Sequence, residues 1–258
     1  RKKLLGAWMG RACGCLLGKT VEGIRSNELI PFLKETGNYP MHRYILSTDV
    51  TDDVKSRYKF FGGNKAYADT VDGMPVDDDT NYVVLYQKII EEFGRDFKPE
   101  NVASAWLRYQ SVQSYFTAER IAYINFINCI EPPSSAMYKN VCREWIGAQI
   151  RGDYFGYINP GNPEAAAEMA YKDACVSHVK NGVYGEMFAS AIIACAAVTD
   201  NIDTYLDNSN NDIAPFKAIM NDMYAKDLSK KIRTALHTMQ SEGKWVGGCP
   251  PFGYKIDQ

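Results

Sequence analysis

The sequence has few of the residues that build metal clusters or disulfide frameworks. Its 258 residues include three histidines and seven cysteines, and no two cysteines form a Cys-x-x-Cys pair. An odd number of scattered cysteines is typical of reduced thiols in a cytosol, not of a disulfide framework or a structural zinc site. With so few histidines, a histidine-rich metal site is not expected either. The sequence therefore predicts a cytoplasmic protein with free thiols.

The sequence also lacks a charge excess and a long apolar run. Lysine and arginine total 29 against 31 for aspartate and glutamate, so net charge gives no sign of a nucleic-acid or membrane partner. No apolar stretch reaches the roughly 20 residues that a membrane helix needs. The basic start at Arg1 resembles a secretory signal, but charge returns at Arg11 and no Ala-x-Ala-like site follows. We therefore expect neither a signal peptide nor a membrane anchor.

The alternating pattern of β-strands is almost absent from residues 1–200. Apolar residues recur there at helical spacing, which predicts an all-α domain. The predicted helices cover residues 3–18, 26–33, 80–93, 99–109, 117–130, 163–174 and 184–198. Residues 38–76 and 147–161 are predicted to be irregular, and Asp79 or Thr80 is expected to cap the helix that follows. The helix at 184–198 is apolar on nearly all sides, which predicts that it is buried.

Three consecutive carboxylates, Asp77, Asp78 and Asp79, precede Thr80. Adjacent like charges are unfavourable unless something positive offsets them. The helix dipole offers about half a charge, and Mg²⁺ offers more because it binds carboxylate oxygens and keeps several waters. These residues alone leave two interpretations open, an exposed acidic helix cap or a cation site. Glu22, which follows the first helix, would by itself be an ordinary solvated loop residue.

Four segments, in this order along the chain, together resemble the ADP-ribosylglycohydrolase family. They are residues 6–18 with Glu22, the string Asp77-Asp78-Asp79-Thr80, residues 145–153, and residues 173–178. The first resembles the family's Gly-Asp-Ala-Leu-Gly motif followed by a glutamate, and the second its Thr-Asp-Asp-Thr motif. Two departures are visible. Cys15 stands where the opening motif usually has aspartate, and Asp77 takes the place of the first threonine.

The resemblance implies an all-helical fold that holds two Mg²⁺ ions beside bound ADP-ribose. It implies hydrolysis of an N- or O-glycosidic bond at ribose C1, with the ribose hydroxyls oriented by metal and water activated by a carboxylate. The implied catalytic residues are Glu22, Asp78 and Asp79, and the implied metal ligands are Asp77, Asp78 and Asp79. The implied ligand-binding residues are Thr80, Gly147, Arg151, Asp153 and His178. Without the family, His178 is equally well explained as a hydrogen-bonded histidine at a helix end.

The late Asp-x-Asp-Thr motif of that family was not found. The nearest string, residues 200–204, has the spacing Asp-x-x-Asp-Thr and directly follows the last predicted helix. The domain over residues 1–200 is therefore expected to be incomplete and to lack its C-terminal helices. We expect it to hold one magnesium ion or none and to turn over weakly or not at all. Uncovered apolar faces on the helices at 80–93 and 184–198 predict self-association into a homo-oligomer.

Residues 201–258 resemble a different family, the large serine recombinases. The resemblance rests on a basic helix predicted over about 215–242 and on Pro250-Pro251-Phe252-Gly253-Tyr254. It implies the start of a recombinase DNA-binding domain, in which Lys230, Lys231 and Arg233 would contact DNA phosphates weakly. The alternative is a generic basic helix. On this interpretation the chain is a chimera, and its other candidate functions are a DNA-binding recombinase fragment or a non-catalytic ADP-ribose-binding remnant.

Overall fold

Helices account for all regular secondary structure in the part of the chain that the computed structural model describes, residues 1–62 and 65–200. The α-helices are α1 (Lys2–Lys19), α2 (Ser26–Glu35), α3 (Asp52–Arg57), α4 (Asp78–Phe93), α5 (Pro99–Tyr109), α6 (Thr117–Ile127), α7 (Ser134–Met137), α8 (Asp153–Tyr157), α9 (Pro163–Ala174) and α10 (Asn181–Ala196). Short 3₁₀ helices lie at Ser47–Asp49, Lys59–Gly62, Val112–Ser114 and Ile146–Arg151. The all-α prediction is confirmed. Among these described helices, none has the length and apolar character needed to cross a membrane.

Local sequence signals set most helix boundaries. Pro99 and Pro163 begin α5 and α9, where the missing N–H is not needed. Gly94, at φ +73°, ends α4 in a conformation that suits glycine. The cap of α4 differs from the prediction. It is Asp77, whose carboxylate accepts a hydrogen bond from the Asp79 backbone N–H at 3.0 Å, because the helix starts one turn earlier than its apolar pattern.

Helix α10 packs against α8, α9 and the 3₁₀ helix Ile146–Arg151. The predicted burial holds for part of this helix, since eight of its residues are buried whereas Phe188 is exposed. Two glycines allow the close approach of α8. A Cβ at Gly152 would lie 2.6 Å from the Ser190 hydroxyl, and one at Gly156 would lie 2.6 Å from Ile193 Cβ. The segment predicted to be irregular over 147–161 is thus largely helical, and two of its glycines serve helix packing.

Residues 38–76 also contain more structure than predicted. Three short helices there surround a second apolar cluster of buried residues: Phe32, Leu33, Ile45, Val50, Val54, Phe61 and Tyr67. A bidentate ion pair between Arg43 and Asp49, at 2.6 and 2.8 Å, closes the loop before α3. The prediction was wrong here because each helix is too short to show a periodic apolar pattern.

Helix α1 lies on the surface, and none of its 18 residues is buried. Polar contacts from Arg11 hold it in place. The Arg11 guanidinium donates to the backbone oxygens of Asp79 and Ile150, the second at 2.6 Å, and pairs with the Asp153 carboxylate. Trp8 adds a ring contact to Tyr157 at 5.8 Å. This anchoring brings the C-terminal half of α1 beside the start of α4.

Candidate active site and metal centre

An open cleft of about 1120 Å³ lies between the end of α1, the start of α4 and residues 145–150. The residues that line it on the α1 side include Cys15, Lys19 and Glu22. Asp77–Asp79 line it from the start of α4. Residues 113–117 and 145–150 complete its walls. The cleft is large enough for a nucleotide-sized ligand.

Hydrogen bonds to both of its carboxylate oxygens hold the Asp77 side chain in place. It is 9% exposed. One carboxylate oxygen accepts the Asp79 N–H, and the other accepts a hydrogen bond from Lys19 Nζ at 2.5 Å. Thr80 reinforces this turn, since its hydroxyl donates to the Asp77 backbone oxygen at 3.1 Å. Thr80 therefore supports the helix start, and its side chain is engaged with the backbone.

The three carboxylates have different proton affinities. Burial, together with the charges of Asp77 and Asp79, raises the pKa of Asp78 to about 6. Burial and the charge of Asp77 also raise the pKa of Asp79. Burial acts in the same direction on Asp77, but hydrogen bonds from Lys19 and Cys15 outweigh it, so the pKa of Asp77 is lowered. A bound cation would offset the repulsion between these carboxylates and so lower the pKa of Asp78 and of Asp79.

Cys15 joins this acidic cluster from α1. Its sulfur and one carboxylate oxygen each from Asp77 and Asp79 lie within 4.8 Å of one another. Burial, followed by the two aspartates, raises the pKa of the Cys15 thiol. Carboxylate oxygens are the ligands that Mg²⁺ prefers, and sulfur suits softer ions. By the chemistry of these donors, the cluster fits a divalent cation.

Glu22 lies on the same cleft, just past the end of α1. Its backbone N–H donates to the Gly18 carbonyl at 2.8 Å, which fixes the turn that carries it. The Glu22 residue is exposed and lines the cleft. The structure thus brings together, on one cleft, all the sequence-predicted catalytic residues and metal ligands.

Gly147 and Thr117 separate the cleft from the interior. Both line the cleft, and both contact Glu119 behind it. A Cβ at position 147 would lie 2.2 Å from a Glu119 carboxylate oxygen, so any larger residue there would require the buried Glu119 side chain to move. Thr117 has φ +40°, an unusual conformation for a β-branched residue. Strained backbone of this kind is common at functional sites.

Arg151 does not line the cleft. Its side chain is fully buried and pairs with Asp173 at 2.8 Å, Glu119 at 3.2 Å and Glu186 at 3.7 Å. The guanidinium also lies 5.0 Å from the Trp106 ring centroid. We call these four charged residues the buried ionic network. The described contacts of Arg151 are therefore those of a core residue.

His178 and Asp153 also lie away from the cleft lining. His178 Nδ1 is 2.8 Å from the Ser177 hydroxyl, and burial lowers the pKa of His178 to about 3, so the ring is neutral. Asp153 pairs with Arg11 and accepts a hydrogen bond from the Tyr157 hydroxyl at 3.2 Å. Of the five predicted ligand-binding residues, only Gly147 lines the cleft.

The sequence analysis did not assign roles to Cys15 and Lys19. The two residues are four apart on α1, so they lie on one face of the helix. The four-residue spacing of Cys15 and Lys19, just before Glu22, is the sequence signal that could have placed both residues at the cleft. The predicted DNA-binding residues Lys230, Lys231 and Arg233 lie outside the described residues.

Comparison with known proteins identifies one family. The family model of the ADP-ribosylglycohydrolases matches residues 1–251, which crosses residue 200 and includes most of the segment interpreted as a recombinase fragment. No curated protein and no solved structure matches the chain. The recombinase assignment stays a prediction. Because the family model covers nearly the whole sequence, the chain belongs to the ADP-ribosylglycohydrolase family.

Proposed function

We propose that the chain binds ADP-ribose in the acidic cleft and slowly hydrolyses the glycosidic bond at ribose C1, with Mg²⁺ as its cofactor. Membership of the family supports a hydrolase-like function and an ADP-ribosylated substrate. The observation that carries the proposal is the convergence of Asp77–Asp79 and Glu22 on one open cleft. Neither an exposed helix cap nor a solvated loop glutamate would require that convergence.

Different residues of the cleft would bind the metal and activate the attacking water. Bound Mg²⁺ would supply positive charge that orients the ribose hydroxyls. Asp77 and Asp79 would hold it, with Asp77 fixed by its bonds to Lys19 and the Asp79 N–H. Asp78 would complete the ligand set. Glu22, which has no rigid partner among the contacts described for it, would hold and deprotonate the attacking water.

Slow turnover is expected because only one half of the family's carboxylate set is recognised in the sequence. A two-metal site needs carboxylates from both halves, and the late Asp-x-Asp-Thr motif was not found. We therefore propose one ion or none. If binding persists without hydrolysis, the chain is a non-catalytic ADP-ribose-binding remnant.

Release of ADP-ribose from an ADP-ribosylated peptide tests this proposal. The full chain is compared with Asp78→Ala and with the matched control Asp72→Ala, an exposed aspartate outside the cleft lining. We expect slow release that needs Mg²⁺, survives Asp72→Ala and is lost in Asp78→Ala. Release at ~1–10³ per second, a rate typical of enzymes, would show that the missing motif is dispensable or comes from another subunit. Absence of both release and ADP-ribose binding would overturn the proposal.

Two further partners remain predictions. DNA binding by the C-terminal basic segment is tested by salt-dependent DNA affinity of the full chain, with Lys230, Lys231 and Arg233 changed to alanine.

Self-association is supported by exposed apolar side chains, such as Leu5 at 63% and Val84 at 60%. Sedimentation of the full chain at several concentrations measures it, and a concentration-independent monomer would contradict it.

A further inference from the structure

Two opposite walls of the cleft are joined through the core behind it. One wall is the start of α4, which carries Asp77–Asp79, and the other includes Thr117 and Gly147. Both residues of the second wall contact Glu119. The Thr117 hydroxyl lies 3.5 Å from one Glu119 carboxylate oxygen, and a Cβ at position 147 would lie 2.2 Å from the other. Glu119 is 3% exposed, so it lies behind this wall and not in the cleft.

The buried ionic network connects Glu119 to α4. Arg151 Nη1 donates a hydrogen bond to Glu119 at 3.2 Å, and Arg151 Nε donates one to Asp173 at 2.8 Å. Asp173 in turn accepts a hydrogen bond from the hydroxyl of Tyr86, which lies on α4. The Arg151 guanidinium also lies 5.6 Å from the ring centroid of Tyr82, on the same helix. One guanidinium therefore ties the wall in front of Glu119 to the helix that carries the acidic cluster.

We propose that Glu119 is a positioning residue for ADP-ribose, because it fixes the wall formed by Thr117 and Gly147 relative to the carboxylates of α4. The inference rests on the proposed function in that ADP-ribose binds in this cleft. Glu119 does not line the cleft, so it acts through the two wall residues. Groups that contact a ligand must be held to within about 0.5 Å by side chains that packing and hydrogen bonds have themselves locked in place.

Both wall residues depend on support from behind. Thr117 has φ +40°, and a strained conformation of this kind persists only where the surrounding structure holds it. Glu119 also fills the space in which a side chain at position 147 would lie. A shorter side chain at position 119 would leave both wall residues room to shift, and the separation between the two walls would no longer be fixed.

Glu186 provides the matched control for this role. It belongs to the same network, is fully buried and pairs with Arg151 at 3.7 Å. Its side chain packs against Gly152 at the start of α8, and neither residue lines the cleft. If Glu119 contributed only to the stability of the core, shortening either glutamate would leave the ligand affinity unchanged. A positioning role predicts that only the change at Glu119 weakens ligand binding.

Calorimetric titration with ADP-ribose and Mg²⁺ tests the proposal on the full chain, with urea denaturation confirming that each variant is folded. Glu119→Asp keeps the carboxylate but withdraws it by one methylene, and we expect the ADP-ribose affinity to fall about tenfold or more. Glu119→Gln keeps the length and shape of the side chain, and its amide oxygen can still accept from Arg151, so we expect an affinity close to that of wild type. Glu186→Asp removes the same methylene elsewhere in the network and should also bind like wild type.

The pattern across these variants decides the proposal. Equal affinities in Glu119→Asp and Glu186→Asp would overturn it, whether both are unchanged or both are weakened. Loss of affinity in Glu119→Gln but not in Glu119→Asp would also overturn it, since the charge and not the shape of the side chain would then matter. In either case wild type still binds ADP-ribose and the proposed function stands. If wild type binds no ADP-ribose, the proposed function fails and this inference fails with it.

Discussion

The domain contains two clusters of carboxylates in opposite environments. Asp77–Asp79 line an open cleft, whereas Glu119, Asp173 and Glu186 surround Arg151 in the core. The two clusters approach each other across the wall formed by Gly147 and differ mainly in access to solvent. The comparison teaches that a high density of acidic residues does not by itself mark a functional site. What distinguishes the cleft is that a ligand can reach its carboxylates.

The buried ionic network contains more acidic groups than basic ones. Three carboxylates face one guanidinium, so full ionisation would leave a net charge of −2. Burial raises the pKa of Glu119 and raises that of Glu186 well above its ordinary value, which favours their neutral forms. Several atoms still lack hydrogen-bond partners, including Arg151 Nη2 and both Glu186 carboxylate oxygens. A network of this kind is costly to break, because its remaining members stay buried.

Removing Arg151 should have the largest effect on stability. Arg151→Met leaves the buried acidic groups of the network without their cation, and breaking a buried pair costs about 3–5 kcal/mol. Arg108→Met is the matched control, because Arg108 pairs with Glu92 at the surface, where solvent screens the interaction and its loss should change stability little. Urea denaturation measures both free energies of unfolding. Equal losses in the two variants would contradict the distinction between core and surface.

Adding a Cβ at Gly147, between the two clusters, should lower the free energy of unfolding by an intermediate amount. In Gly147→Ala the new Cβ would lie 2.2 Å from the Glu119 carboxylate and force it to move. Overpacking of this kind costs about 1–3 kcal/mol. Gly10→Ala is the control, since nothing lies within 4 Å of a Cβ there and alanine favours a helix. If Gly147→Ala were as stable as wild type, as measured by urea denaturation, Glu119 would not pack against the cleft wall.

Ionisation of Asp78 should have a smaller effect on stability than these two substitutions, and it should appear as a dependence of the free energy of unfolding on pH. Its folded-state pKa, about 6, lies above the ordinary 3.8. The stabilising contribution of its protonated form is therefore present below about pH 4 and is lost as pH rises through 6. We expect a loss of about 1 kcal/mol in metal-free wild type, reduced by solvent screening, and none from this site in Asp78→Asn. Unfolding in urea with EDTA across this pH range measures it, and parallel curves for the two proteins would refute it.

Most helices were predictable because their boundaries have local causes. The bounds of α9 follow from Pro163 at its first position and from the Asn162 side chain, which accepts the Ala165 N–H at 3.1 Å. The acidic half of the site was predictable for a similar reason, since Asp77–Asp79 act together at one helix start. The positions of such residues along the chain were sufficient to identify them.

The direction of individual side chains was not predictable in the same way. Motif order along the chain suggested that Arg151 and His178 contact a ligand, but tertiary packing turns both into the core. Gly152 and Gly156 lie in a segment that was predicted to be irregular, and they let α8 approach α10. The role of Cys15 depends on how α1 is placed against α4, which no local pattern specifies.

Calorimetric titration of ADP-ribose, with and without Mg²⁺, tests the central claim most directly. The full chain, Asp78→Ala and Asp72→Ala are compared at one pH, with urea denaturation confirming that each variant is folded. The account predicts Mg²⁺-dependent binding to wild type and Asp72→Ala and no detectable Mg²⁺-dependent binding to Asp78→Ala, because Asp78 lies in the cleft cluster and Asp72 outside it. Unchanged affinity in Asp78→Ala would contradict the assignment of the cleft as the metal and ADP-ribose site.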